Sequence, residues 1–128
     1  MTIFDIMGPV MVGPSSSHTA GAVRIGLITR RLLGETPARA DIKLHGSFAA
    51  TGAGHGTDKA LAAGLLGLLP DDTRIPHSFS LAQEAGMALS IGAVDLRDAH
   101  PNTVILSVTG QGGRQLEVNA SSLGGGRV

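Results

Sequence analysis

From His18 to Leu33 the apolar residues Ala22, Val23, Ile25, Leu27, Ile28 and Leu32 share one broad face at helical spacing, with Arg24, Arg31 and Glu35 aligned on another. This pattern predicts a helix. The turn Val12-Gly13-Pro14 precedes it, the hydroxyls of Ser15, Ser16 and Ser17 suit its N-cap, and Gly34 with Pro37 closes it. Ala40, Ile42 and Leu44 then alternate with Asp41, Lys43 and His45, the period of a half-buried strand. A second helix is expected from a Thr57 or Asp58 cap to about Leu69, with Leu61, Leu65 and Leu68 as its stripe and Pro70-Asp71-Asp72 as its stop. The capping-box spacing of Ser80 and Gln83 predicts a short helix over Leu81 to Ala85, with Gly86 as its C′ residue. The period then returns to two. Met87, Leu89, Ile91 and Ala93 read as a strand, and Thr103 to Thr109 pairs with Arg114 to Ala120 across a turn at Gly110 to Gly113. The order helix, strand, helix, helix and three strands predicts an α+β fold. It is a two-layer sandwich, with helices on a mainly antiparallel or mixed sheet of four to five strands, in a single domain over residues 1–128.

Composition narrows the function more than the fold. Ten Lys and Arg balance ten Asp and Glu, so no global field recruits nucleic acid or an anionic membrane surface, and no local basic patch stands out. With three Phe and neither Trp nor Tyr, the core must be aliphatic. The absence of cysteine rules out disulfides, thiolate zinc sites and cysteine-held iron–sulfur clusters on this chain. The first residues, MTIFDIMGPV, do not resemble a leader, and no segment offers the roughly 18 consecutive apolar residues of a membrane span, so a cytoplasmic location is expected. No repeat of solenoid period is present.

Two segments concentrate chemistry. Gly13 to Thr19, GPSSSHT, gathers Ser15, Ser16, Ser17, His18 and Thr19 at a helix start, where unpaired backbone N–H groups and the helix dipole favour a carboxylate or phosphate. The plain alternative is that the serines only cap the helix and His18 decorates its first turn. Gly52 to Asp58, GAGHGTD, sets His55 between two glycines at another loop-to-helix junction, where a ring titrating near neutrality can act as a general base oriented by Thr57 or Asp58. Its alternative is a surface histidine in a loop. The glycine spacing lacks the context of a dinucleotide site. His45 is expected to end a strand in a structural role, His77 to sit in a polar loop and His100 to serve the turn before Pro101-Asn102. No spacing suggests a metal held by this chain.

GPSSSHTAGAVRIG, HGSFAATGAGHGTDKAL, HPNTV and SSLGGGRV, in that order, resemble the β chain of the iron–sulfur-dependent bacterial L-serine dehydratases. The resemblance implies an L-serine ammonia-lyase that makes pyruvate and ammonia without pyridoxal phosphate. It uses a [4Fe-4S] cluster as Lewis acid, held by cysteines of an α chain or α domain and not by this chain. It implies His55 as the base that takes the α-proton, with His18 and Ser15, Ser16, Ser17 and Thr19 on the substrate carboxylate or pocket wall, and Ser47 and Thr57 in second rank. An α partner, the substrate L-serine and a homo-oligomer follow from it. Family β chains usually continue into an ACT domain, which is expected to be missing here because the sequence stops at Val128. The family fold also serves as an anion-binding regulatory domain in some D-3-phosphoglycerate dehydrogenases, and that non-catalytic function is the alternative. A purely structural interaction domain would leave the serine cluster and His55 unexplained.

Overall fold

Gly8-Pro9 breaks the first run of apolar residues, MTIFDIMGPVMV, and yet that run forms a strand. The computed structural model describes residues 4–12, 18–46, 56–94 and 102–122. In chain order these form β1 (Phe4–Val12), α1 (His18–Leu33), β2 (Pro37–Gly46), α2 (Thr57–Leu66), a 3₁₀ turn (Ile75–His77) and α3 (Ser78–Glu84). Strands β3 (Ala88–Ala93), β4 (Asn102–Gly110) and β5 (Gln115–Ser122) follow. The expected order therefore gains a leading strand. Gly and Pro punctuate turns in most contexts, but here they fall where the register of β1 against β5 shifts between Met7 and Val10, on an edge strand that can tolerate a missing donor.

The five strands form one mixed sheet in the order β1-β5-β4-β2-β3, within the expected α+β class. β1 runs parallel to β5 and β2 parallel to β3, while β4 is antiparallel to both of its neighbours. Four strands thus point one way and only β4 points back. The predicted hairpin forms, with Leu106 opposite both Ile42 and Val118 in the buried row of the sheet. The helices lie in one layer, α1 against β5, β4 and β1, α2 against β2, and α3 against β3. Ile25, Leu33, Leu61, Leu65, Leu106 and Leu116 fill the space between the layers. The other face of the sheet carries Arg39, Asp41 and Lys43 on β2 and Gln115, Glu117 and Asn119 on β5, half-buried or exposed.

Local details depart from expectation for identifiable reasons. α2 ends at Leu66 rather than about Leu69, because Gly67 takes φ 93° and the chain closes with Gly67 N–H to Gly64 O at 3.0 Å and Leu68 N–H to Ala63 O at 2.9 Å. Neither Thr57 nor Asp58 caps α2. Gly56 occupies that position at φ 93°, where a side chain would be strained, and Asp58 instead accepts from Lys59 N–H at 2.7 Å. α3 starts at Ser78, ahead of the expected box at Ser80 and Gln83, and has no side-chain cap, whereas Gly86 ends it as expected at φ 78°. Glu35 is not part of α1, and its carboxylate accepts from Gly112 N–H in the β4–β5 turn. Pro37 opens β2. The tight Asp72–Arg74 pair, with two side-chain bonds at 3.0 and 2.8 Å, holds the Asp72 carboxyl down to about 2, in an exposed turn away from the helix N-termini.

One polar contact ties the helix layer together. Arg30 on α1 donates from Nη1 to Leu65 O at 2.8 Å and lies beside Gly67, so a cation meets the carbonyl-rich end of α2. Arg30→Met keeps most of the stem but removes this bond, and urea unfolding should show a loss of about 1–2 kcal/mol.

Candidate active site at the carboxyl edge of the sheet

Because β1, β5, β2 and β3 are codirectional, Val12, Ser122, Gly46 and Ala93 end at one edge of the sheet, and Asn102, where β4 begins, stands there opposite Gly46. Residues that leave this edge after β1 and β2 lead into α1 and α2. Both helices therefore run back across the sheet in the same direction, and both N-termini lie at the strands' carboxyl ends, the usual location of ligands in α/β layers.

A close backbone contact fixes the two helices side by side. A Cβ on Gly26 would sit 2.5 Å from Leu61 O and 2.8 Å from Gly64 Cα; a Cβ on Gly64 would overlap Val23 O and sit 2.7 Å from Gly26 Cα. From this crossing, His18 and Thr57 each lie about two turns, or ~11 Å, toward the same end. The two helix starts thus stand at matching height above the crossing.

The two starts differ electrostatically. α1 has no acidic residue in its first turn, whereas α2 has Asp58, whose carboxylate already takes one of the N–H groups there. Negative charge is therefore opposed less at the start of α1 than at the start of α2. On β2, half-buried His45 alternates with the open-face residues Asp41 and Lys43, and its Nδ1 lies 3.3 Å from Val94 O, joining the ends of β2 and β3.

Of the site residues named from sequence, Thr57 is described throughout: it is the first residue of α2 and is buried, 2% exposed. His18 and Thr19 are the first two residues of α1, but their side chains lie outside the description. Ser15, Ser16, Ser17, Ser47 and His55 lie outside the described residues, as does His100. Their flanks do not. Val12 and His18 bracket the serines, and Gly46 and Gly56 bracket Ser47 and His55, all four at this edge. Asn102 joins the edge as a position that sequence reasoning took only for a turn; its register opposite Gly46 is the signal, and register is legible only once the strands are paired. His77 lies in the 3₁₀ turn before α3, away from this edge.

Among the described residues no group of three or more His, Asp or Glu is placed to hold a metal, and the whole chain lacks cysteine. A cleft of about 450 Å³ containing Arg30, Arg31 and Glu35 lies at the opposite end of the helix pair, where Arg30 is already committed to Leu65 O. No described helix is long and apolar enough to cross a membrane.

Comparison with known proteins bears on the same segments. The chain is 44% identical over 127 residues to the probable L-serine dehydratase, beta chain, of Bacillus subtilis, covering 99% of this chain and 57% of that one. It is 47% identical over 126 residues to the L-serine dehydratase, beta chain, of Peptoniphilus asaccharolyticus, covering 98% and 57%. Against L-serine dehydratase 2 of Escherichia coli it is 40% identical over 90 residues, which is 66% of this chain and 19% of that longer protein. The chain thus spans little more than half the length of the two beta chains it matches. The family profile described as "Serine dehydratase beta chain" matches residues 2–91, which hold β1, α1, β2 and α2, and with these relatives it shows that the chain belongs to the serine dehydratase beta chain family.

Proposed function

We propose that this chain supplies the carboxylate-binding and proton-accepting side of an L-serine dehydration site, completed by an α chain or α domain that holds a [4Fe-4S] cluster. The observation that carries the proposal is the shared edge: α1 and α2 start side by side at the carboxyl ends of β1 and β2, and the two motifs rich in hydroxyl and imidazole groups precede those starts.

The acid-free N-terminus of α1 takes the substrate carboxylate, with Ser15, Ser16, Ser17, His18 and Thr19 adding donors. Its negative charge is thereby neutralised, which makes the α-proton easier to remove. His55, next to Gly56 at the start of α2, is neutral when substrate binds and takes that proton, and Asp58 in the following turn favours the imidazolium that results. As the Cα–H bond breaks, its electron pair forms the Cα–Cβ double bond and the β-hydroxyl leaves, taking up a proton to become water. The aminoacrylate tautomerises to an imine, and water then gives pyruvate and ammonia. The burial of Thr57 suits it to hold the start of α2 in place, and Ser47, which follows Gly46 in the sequence, is assigned as a further donor to the substrate.

Without cysteine this chain does not fit an iron–sulfur cluster, so activation of the leaving hydroxyl is assigned to the partner. The deciding experiment is anaerobic reconstitution with the cysteine-bearing partner. L-serine should yield pyruvate, and Ser16→Ala should raise KM more than it lowers kcat. Binding of serine or phosphate to the chain with no pyruvate from any reconstituted mixture would overturn the proposal in favour of a regulatory anion-binding module.

A further inference from the structure

The two edges of the sheet are built differently. On one, β1 carries Gly8-Pro9 at a break in its register, so the outer row of hydrogen-bonding groups is interrupted. On the other, β3 has the sequence ALSIGA and pairs only with β2 among the described residues. Its register is unbroken from Arg39 opposite Ala88 to Leu44 opposite Ala93. It has no charge, proline or bulge, the devices that usually keep an edge strand from pairing further.

The helix layer also stops short of this edge. α3 spans only Ser78–Glu84 and covers the approach to β3, so Met87 is buried while Ile91 remains 37% exposed and Phe79 on α3 equally so. Phe79, Ala82 and Met87 on one side and Leu89 and Ile91 on the other line an apolar groove of about 480 Å³.

We propose that this edge is a seam between two copies of the chain, paired antiparallel through β3 about a twofold axis at Ser90. Leu89 and Ile91 pair with Ala40 and Ile42 of the buried row and so lie on the helix side, while Ala88, Ser90 and Gly92 lie on the open side. A twofold centred on Ser90 sets Leu89 against Ile91 of the second copy, and by symmetry Ile91 against its Leu89. This places apolar side chains from each copy at the mouth of the other's groove. On the open side it sets Ala88 against Gly92 and Ser90 against Ser90, small residues throughout, with no like charges opposed. A β3 seam about 20 Å long and two layers deep, at about 10 Å per layer, covers roughly 400 Å² per copy, about 800 Å² in all, which is less than a permanent interface buries and makes this a weak, transient pairing. The dimer is therefore concentration-dependent. It does not depend on the dehydratase proposal.

The test uses the full 128-residue chain. Sedimentation across the micromolar to submillimolar range should show a monomer–dimer equilibrium, and Ile91→Lys should shift it at least tenfold toward monomer with an unchanged circular dichroism spectrum. Because the chain has no cysteine, Ser90→Cys introduces a single thiol. Opposed Cα atoms in an antiparallel pair lie about 4.5–5.5 Å apart, within disulfide reach, so mild oxidation should cross-link Ser90→Cys much faster than Gln111→Cys at the hairpin turn. A monomer at every concentration, a dimer that survives Ile91→Lys, or cross-linking no faster than the Gln111→Cys control would each overturn the proposal. Faster cross-linking of Ile91→Cys than of Ser90→Cys would overturn the Ser90 axis.

Discussion

Gly64→Ala is expected to destabilise the protein by about 2–4 kcal/mol, although alanine is the better helix former by about 1 kcal/mol. The added Cβ would overlap Val23 O and sit 2.7 Å from Gly26 Cα and 2.8 Å from Leu27 N, all backbone atoms that cannot swing aside as a side chain would. α1 and α2 must therefore separate, and the packing of Val23, Leu61 and Leu65 between them loosens. Urea unfolding with an unchanged m-value measures the effect. Gly26→Ala should cost a similar amount, and the double variant less than the sum, since the first separation makes room for the second. Gly92→Ala is the control: nothing lies within 4 Å of its Cβ position and its φ is not positive, so its effect on fold stability should stay within about 0.5 kcal/mol. Because the same crossing sets the spacing of the two helix starts, reconstituted activity should fall in Gly64→Ala even at temperatures where the variant remains folded. Wild-type stability in Gly64→Ala would mean that the glycine contact does not hold the helices.

What was legible in the sequence, and what was not, follows from how far each signal reaches. The hairpin from Asn102 to Ser122 was plain because strict alternation and the glycine-rich Gly110–Gly113 turn are both local. The whole of α1 and the body of α2 were plain for the same reason, while the cap and end of α2 were misplaced where a glycine outweighed the pattern, as Gly56 and Gly67 do. β1 was hidden because Gly8-Pro9 reads as a turn unless the strand is known to lie at an edge, and edges are a property of the assembled sheet. Motifs at the candidate site were visible as composition: three hydroxyls before a helix, a histidine between glycines. That their flanks, Val12 and His18 for one and Gly46 and Gly56 for the other, meet at one edge was not. It arises because β1 and β2 are codirectional although β5 and β4 separate them, and because Gly26 and Gly64 let the following helices touch. No spacing along the chain states either fact.

The proposed site at that shared edge gives the second large effect. His55→Ala, in the reconstituted enzyme, should lower kcat by about 10²–10⁴-fold with KM changed little, because the ring is assigned to the moving proton and not to the bound carboxylate. His18→Ala, at the start of α1, should do the reverse and act mainly on KM. The two assignments therefore separate kinetically even though the helix starts that carry them are neighbours. pH sharpens the distinction. A neutral imidazole accepts the proton, so the wild-type rate should rise with pH on its acid side, and that limb should vanish in His55→Ala but persist in His18→Ala. Neither change should alter thermal unfolding by more than a degree or two, since the buried residues of α1 and α2 that hold the helices together lie further along both. Full turnover by His55→Ala would remove the base from this chain, leaving the edge as a carboxylate site and moving proton abstraction to the partner.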